Sequence, residues 1–121
     1  MSWKERTELL IGEKVMQELS QKHVLVVGVG GVGAYAAEMI VRAGVGEITI
    51  VDADTVNESN INRQLVALHS TIGKAKTEIL EARLKDINPN LKIHVQLEFP
   101  HHLMEPRDNH VNLICLANHS Q

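Results

Sequence analysis

The segment Gly28-Val29-Gly30-Gly31-Val32-Gly33 spells GxGxxG between a short apolar run, His23–Val27, and an alanine-rich stretch, 34–43. Glycines at this spacing suit phosphate chemistry. Gly28 permits the tight turn, Gly30 and Gly31 let backbone approach a phosphate, and Gly33 lets a helix pack closely on a strand. The helix that follows presents unpaired N–H groups and partial positive charge to an anion. Asp52 ends a second β-branched run, Glu47–Val51, about two dozen residues past Gly28, where an acid accepts hydrogen bonds from ribose hydroxyls. Asp52 as a simple turn-capping residue is the competing reading. Asp54 falls on the opposite side by alternation and reads as structural. To this point a dinucleotide dehydrogenase and an ATP-binding protein explain the residues equally well.

The next stretch separates them. Asp52-Ala53-Asp54-Thr55-Val56-Asn57-Glu58-Ser59-Asn60-Ile61-Asn62-Arg63-Gln64 is long and polar, and Gly73-Lys74-Ala75-Lys76 opens the following helix. Arg63 offers a bidentate fork and Lys76 a mobile point charge, the equipment for displacement at phosphorus, where positioning and positive charge carry most of the catalysis. Lys74 and Lys76 both fall in the expected first helical turn, which disfavours cations, so an anion is called for there. Bland readings stand beside these: a solvated lysine, an Arg63 ion pair with Asp52 or Asp54, and Asn60 as a turn or cap residue.

The D-x-D-x-V-x-x-S-N-x-x-R-Q pattern of residues 52–64 resembles the ThiF/HesA/MoeB superfamily, relatives of the ubiquitin-activating enzymes. Gly73-Lys74-Ala75-Lys76 is similar to that superfamily's G-x-x-K, and Arg6-Thr7-Glu8-Leu9-Leu10-Ile11-Gly12 to its R-x-x-x-L-x-G. The finer wording resembles the tRNA threonylcarbamoyladenosine dehydratase branch, and the resemblance spans residues 3–99. It implies ATP over the glycine loop, attack of a carboxylate on the α-phosphorus, departure of pyrophosphate, and an acyl-adenylate. In the dehydratase branch the carboxylate is that of threonylcarbamoyladenosine in tRNA, and ring closure releases AMP. By the same resemblance Asp52 holds the ribose, Asn60, Arg63 and Lys76 meet phosphates, and Arg6 crosses to the neighbour's ATP site within a homodimer. Catalysis then rests on Arg63, Lys76 and Arg6. The implied partners are tRNA, a second copy and a sulfur-transfer or redox protein, in the cytoplasm. An exposed N-terminal Arg6 with no task is the plain alternative.

One departure concerns magnesium. The family's later strand ends in D-x-x-D, whose last Asp helps bind Mg2+, but no Asp lies between Asn109 and Gln121. No metal ligand is therefore assigned. His101, His102 and His110 show no fixed frame or second shell. The change of character at Pro100 suggests a truncated or divergent tail, and a fragment of this kind is expected to be inactive alone. A dehydrogenase domain, or a non-catalytic nucleotide-binding or dimerisation module, remain the other classes.

Elements must hold these residues in place. A helix is expected over 4–20, with a break at Gly12 and an apolar stripe of Leu9, Leu10, Val15, Met16 and Leu19. Strands follow at His23–Val27 and Glu47–Val51, with a helix over 34–43 between them and Gly44 as its C-cap. Residues 53–73 read as irregular, with one helical turn near 60–65. A helix over 74–87 stops at Asn88-Pro89, and strands follow at 91–99 and 111–117. Strands alternating with helices specify an α/β fold: a Rossmann-like parallel sheet with helices on both faces, the N-terminal half of the family fold. The expected divisions are a helical segment 1–22, a nucleotide-binding βαβ domain 23–99 and the tail 100–121.

Composition narrows the classes. Net charge is −3, with no basic excess to announce nucleic acid. The single cysteine, Cys115, rules out an internal disulfide and reads as a buried, inert thiol. No apolar run reaches the roughly 20 residues of a membrane span.

Overall fold

A computed structural model describes residues 2–98 and 113–116. Two short helices, α1 (Glu5–Ile11) and α2 (Glu13–Ser20), are separated at Gly12, the expected break. Strand β1 (His23–Val27) leads through the glycine loop to α3 (Gly31–Ala43), and β2 (Glu47–Val51) through a long polar loop to α4 (Lys76–Ile87). Strands β3 (Lys92–Gln96) and β4 (Leu113–Leu116) complete the sheet, in the order β3-β2-β1-β4. All three pairings are parallel. This is the Rossmann-like parallel sheet that the alternation of runs specifies.

Strand alternation divides the sheet into two faces. Val24, Val26, Ile48 and Ile50 join Ala34, Ala37 and Val41 of α3 and Leu80 and Leu84 of α4 in one apolar core. Both helices thus cover the same face. On the opposite face Leu25, Thr49 and Val51 are also buried. Glu38 of α3 ties the two helices together, pairing with Arg83 of α4 and with Arg42 one turn on. These guanidinium partners hold the Glu38 carboxyl below its ordinary value, against an opposing push from burial.

Gly46 sits where α2 meets the start of β2. A Cβ there would stand 1.9 Å from the Ser20 carbonyl oxygen, so only glycine allows this approach.

Several boundaries differ from those read in the sequence. Helix α3 begins at Gly31, three residues before the alanine run, because Gly30 and not the last glycine is its N-cap. Helix α4 begins at Lys76, with Ala75 as N-cap, so Lys74 precedes the helix and only Lys76 bears the first-turn penalty. Strand β3 is shorter than 91–99, since Leu97 and Glu98 already bend away. Of the 111–117 run, Leu113–Leu116 form the strand. The expected apolar stripe of the N-terminal helix is the largest departure. Met16 is buried, but Leu9 and Leu10 are 80% and 84% exposed, and α1 buries no residue at all. Trp3, with Lys4 over its ring, is also half exposed.

Candidate functional site

The last residues of three strands, Val27, Val51 and Gln96, stand in register at one end of the sheet. The ladder runs one step further, with the Gly28 N–H donating to the Val51 carbonyl at 2.8 Å and the Asp52 N–H to that of Gln96 at 3.1 Å. Gly28 then turns the chain at φ +89°, a region side chains disfavour. The Asp52 carboxylate, buried at 6% exposure, fastens the turn. Its Oδ2 accepts the Val29 N–H at 2.9 Å and its Oδ1 accepts the Asp54 N–H at 2.7 Å. A cavity of ≈ 180 Å³ opens here, lined by Val27, Gly28, Val51, Asp52, Ala53, Asp54 and Leu97. Carboxyl ends of parallel strands are where such folds take their ligands.

The start of α3 has no side-chain cap and no acid in its first turn. Gly31, its first residue, leaves open space where a Cβ would point. Its leading N–H groups are thus not answered by a side chain, the condition for receiving an anion. Gly28, Gly30 and Gly33 are buried and Gly31 half-buried.

The loop between β2 and α4, read as irregular, is clipped to itself. Thr55 and Ala75 form an antiparallel bridge, Val56 donates to the Lys74 carbonyl at 2.8 Å, and Lys76 donates its backbone N–H to the Asp54 carbonyl at 3.1 Å. The clip carries the first turn of α4 to the segment that follows Asp52. Lys76 is only 3% exposed, so it is no solvated surface lysine. Among the described residues its ammonium has no hydrogen-bond or ion-pair partner.

Asn60 is buried, and its Oδ1 accepts the Asn57 N–H at 2.9 Å, the reciprocal cap of a short 3₁₀ turn at Glu58–Asn60. A second such turn forms at His69–Thr71. Arg63 is exposed, and its Nη1 donates to the Ser59 carbonyl at 3.1 Å and to Asn62 Oδ1 at 2.8 Å. The ion pair of Arg63 with Asp52 or Asp54 considered from the sequence does not form. Arg6 is exposed on α1. The structure therefore joins the glycine loop, Asp52 and the Asp54–Lys76 clip, while no hydrogen bond brings Arg6 or Arg63 to them.

A second grouping had no motif to announce it. His23 at the start of β1, Glu47 at the start of β2 and His94 on β3 bring ligand atoms within 4.8 Å of one another. Burial raises the Glu47 carboxyl, but the His94 hydrogen bond and the charges of His23, His94 and Lys92 outweigh it and leave it below its ordinary value. The only hint in the sequence is the placement of His94 on an alternating strand; cross-strand register is invisible there. The histidines weighed beforehand, His101, His102 and His110, lie outside the described residues. Cys115 is half-buried at the edge of the core.

A Rossmann-like sheet with a GxGxxG loop, followed by D-x-D and N-x-x-R-Q, defines the class, and the family profile described as the ThiF family matches residues 5–115. The chain belongs to the ThiF family. The match runs past residue 99, where the motifs read from the sequence stop. A tRNA threonylcarbamoyladenosine dehydratase of Bacillus subtilis is 49% identical over 88 residues, 73% of this chain and 35% of that protein. Its counterpart in Escherichia coli is 43% identical over 101 residues, 81% of this chain and 38% of that protein. The solved Escherichia coli tRNA N6-threonylcarbamoyladenosine dehydratase, in complex with ATP, superposes with a TM-score of 0.84 at 36% identity, covering 96% of this chain and 50% of that one. The chain thus spans about a third to a half of the length of these relatives.

Proposed function

We propose that this chain binds ATP for the adenylation of a carboxylate, and that the carboxylate is that of threonylcarbamoyladenosine in tRNA. The observation that carries the ATP reading is Lys76. A lysine only 3% exposed at a helix N-terminus, with Glu78 the one acid of that turn and no ion-pair partner among the described residues, is placed to receive an anion. The uncapped start of α3 is a second anion-seeking group, and the Asp52 cavity lies at the same end of the sheet. Asp52 retains lone pairs after accepting two backbone N–H groups, enough to take ribose hydroxyls.

In the proposed reaction a carboxylate oxygen bonds to the α-phosphorus, the bond to the bridging oxygen breaks, and pyrophosphate leaves. The chain's part is to hold the phosphates on the loop N–H groups, Lys76, Arg63 and Asn60, and to offset charge on the leaving group. Arg63 reaches phosphate by leaving its contacts to Ser59 and Asn62, both solvent-side. Magnesium finds no protein cage among the described residues. The cavity's carboxylates are Asp52, committed to two N–H donors, and Asp54. The relatives' names support the tRNA substrate.

A homodimer belongs to the proposal. Leu9 and Leu10 are 80% and 84% exposed, and Arg6 lies one turn away on the same short helix. A second copy covering α1 would bury both leucines and carry Arg6 toward the neighbouring phosphates.

Titration with ATP and with NAD at equal salt tests the nucleotide reading. ATP is expected to bind at least tenfold more tightly, and tighter NAD binding would overturn adenylation in favour of hydride transfer.

A further inference from the structure

His23, Glu47 and His94 lie on one face of the sheet, at the opposite end of β1 and β2 from the glycine loop. Register pairs His23 with Glu47 and Thr49 with His94, which puts all four side chains on that face. Glu47 Oε2 stands 2.7 Å from His94 Nε2 and 3.9 Å from His23 Nδ1. Around a tetrahedral zinc ion with ligand bonds of about 2.0–2.1 Å, neighbouring donor atoms lie about 3.3 Å apart. The two spacings bracket that value, and all three donor atoms lie within 4.8 Å of one another. The rings of His23 and His94 are tilted by 54° with centroids 5.7 Å apart, which leaves both nitrogens able to face a common point beside the carboxylate.

The ring of His23 is also oriented from behind. Its Nε2 lies 2.7 Å from Thr49 Oγ1 in the buried interior. With Nε2–H donated to that hydroxyl, the lone pair falls on Nδ1, the nitrogen on the Glu47 side. A ligating histidine whose other nitrogen is held by an outer partner is the usual construction of a metal site. A rigid sheet frame and an outer-shell partner are both present here.

We propose that His23 Nδ1, Glu47 Oε2 and His94 Nε2 bind a divalent transition cation of the zinc class, with water completing the tetrahedron. Two imidazoles and a carboxylate suit zinc, nickel or cobalt better than calcium or magnesium. The cation takes the place of the hydrogen bond that now joins Glu47 and His94. His23 is buried, Glu47 half-buried and His94 exposed on the edge strand, so the ion has an open approach from solvent.

Cobalt(II) is the probe, followed by its visible absorption and displaced with zinc. One ion per chain is expected, with the intense absorption of tetrahedral cobalt. His94→Ala and Glu47→Gln should each weaken binding at least tenfold. Thr49→Val should weaken it about 10–100-fold through the loss of ring orientation. A His101→Ala/His102→Ala double variant should bind as the wild type does, and ATP affinity should be unchanged by His94→Ala. Cobalt binding indifferent to both His94→Ala and Glu47→Gln would overturn the proposal, as would a loss confined to the tail variant or no binding below millimolar cobalt. Should Glu47→Gln fail to fold, His94→Ala decides, because that side chain is exposed.

Discussion

At Lys76 the requirements of folding and of ligand binding pull apart. A lysine only 3% exposed and without an ion-pair partner among the described residues adds little to the empty fold and serves when an anion is present. Lys76→Met keeps the length of the side chain and removes its charge. The unliganded variant should therefore melt at or above the wild-type temperature, while ATP affinity falls at least tenfold. A lower melting temperature together with unchanged ATP affinity would mark Lys76 as a packing residue. Arg63 is the complementary case, since it is exposed and its contacts stay within its own loop. Arg63→Ala should cost ATP about 1.5–3 kcal/mol, the range for charge-assisted hydrogen bonds, and leave adenosine affinity unaltered. Calorimetry with both ligands checks this. Equal losses for the two would assign Arg63 to the loop's architecture.

Between elements, Glu38 supplies a pH-dependent tie. Its folded pKa lies below its ordinary 4.5 because of Arg83 and Arg42, net of an opposing contribution from burial. A depressed carboxylate contributes stability that is present above the unfolded pKa and lost as pH falls through the folded one. Glu38→Gln should therefore cost roughly 0.2–1 kcal/mol at neutral pH, modest because both guanidinium groups are about half exposed. The gap should close below about pH 4.5. Denaturant melts at pH 7 and pH 3.5 measure both ends. Gly46→Ala meets backbone rather than a movable side chain at Ser20 and should cost about 1–3 kcal/mol. Elements of this kind were legible where periodicity or composition speaks locally. The Val- and Ile-rich strands, the Gly12 break, the Gly44 cap and the Asn88 stop all fall where residue type places them. The antiparallel clip of Thr55 to Ala75 was not legible, because backbone pairing across twenty residues leaves no trace in side-chain type. The same holds for the burial of Lys76, which follows from that clip, and for the His23–Glu47–His94 grouping, which depends on cross-strand register. Asp52 was legible as the acid that closes β2, but its hold on Val29 was not, because a sequence records spacing and not which N–H a carboxylate faces.

For the whole molecule the open question is association. Among the described residues the sheet order leaves β3 and β4 as edges, and α1 leaves Leu9 and Leu10 in water. Sedimentation at tens of micromolar should give a dimer. Arg6→Ala should leave that dimer mostly intact and weaken ATP, if Arg6 crosses to the neighbour. A monomer at that concentration would remove the assembly proposal, and a dimer with undiminished ATP affinity would remove the crossing of Arg6. The bare surface of α1 carries one more consequence. A seven-residue helix that buries no side chain has little to hold it closed beyond its own few backbone bonds, so its amides should trade hydrogen for deuterium almost as fast as an open chain when the protein is dilute. Covering by a second copy would slow that exchange without touching the rate in β1 or β2. The first helix thus doubles as a built-in gauge of assembly, readable peptide by peptide in a dilution series that needs neither a label nor a substrate.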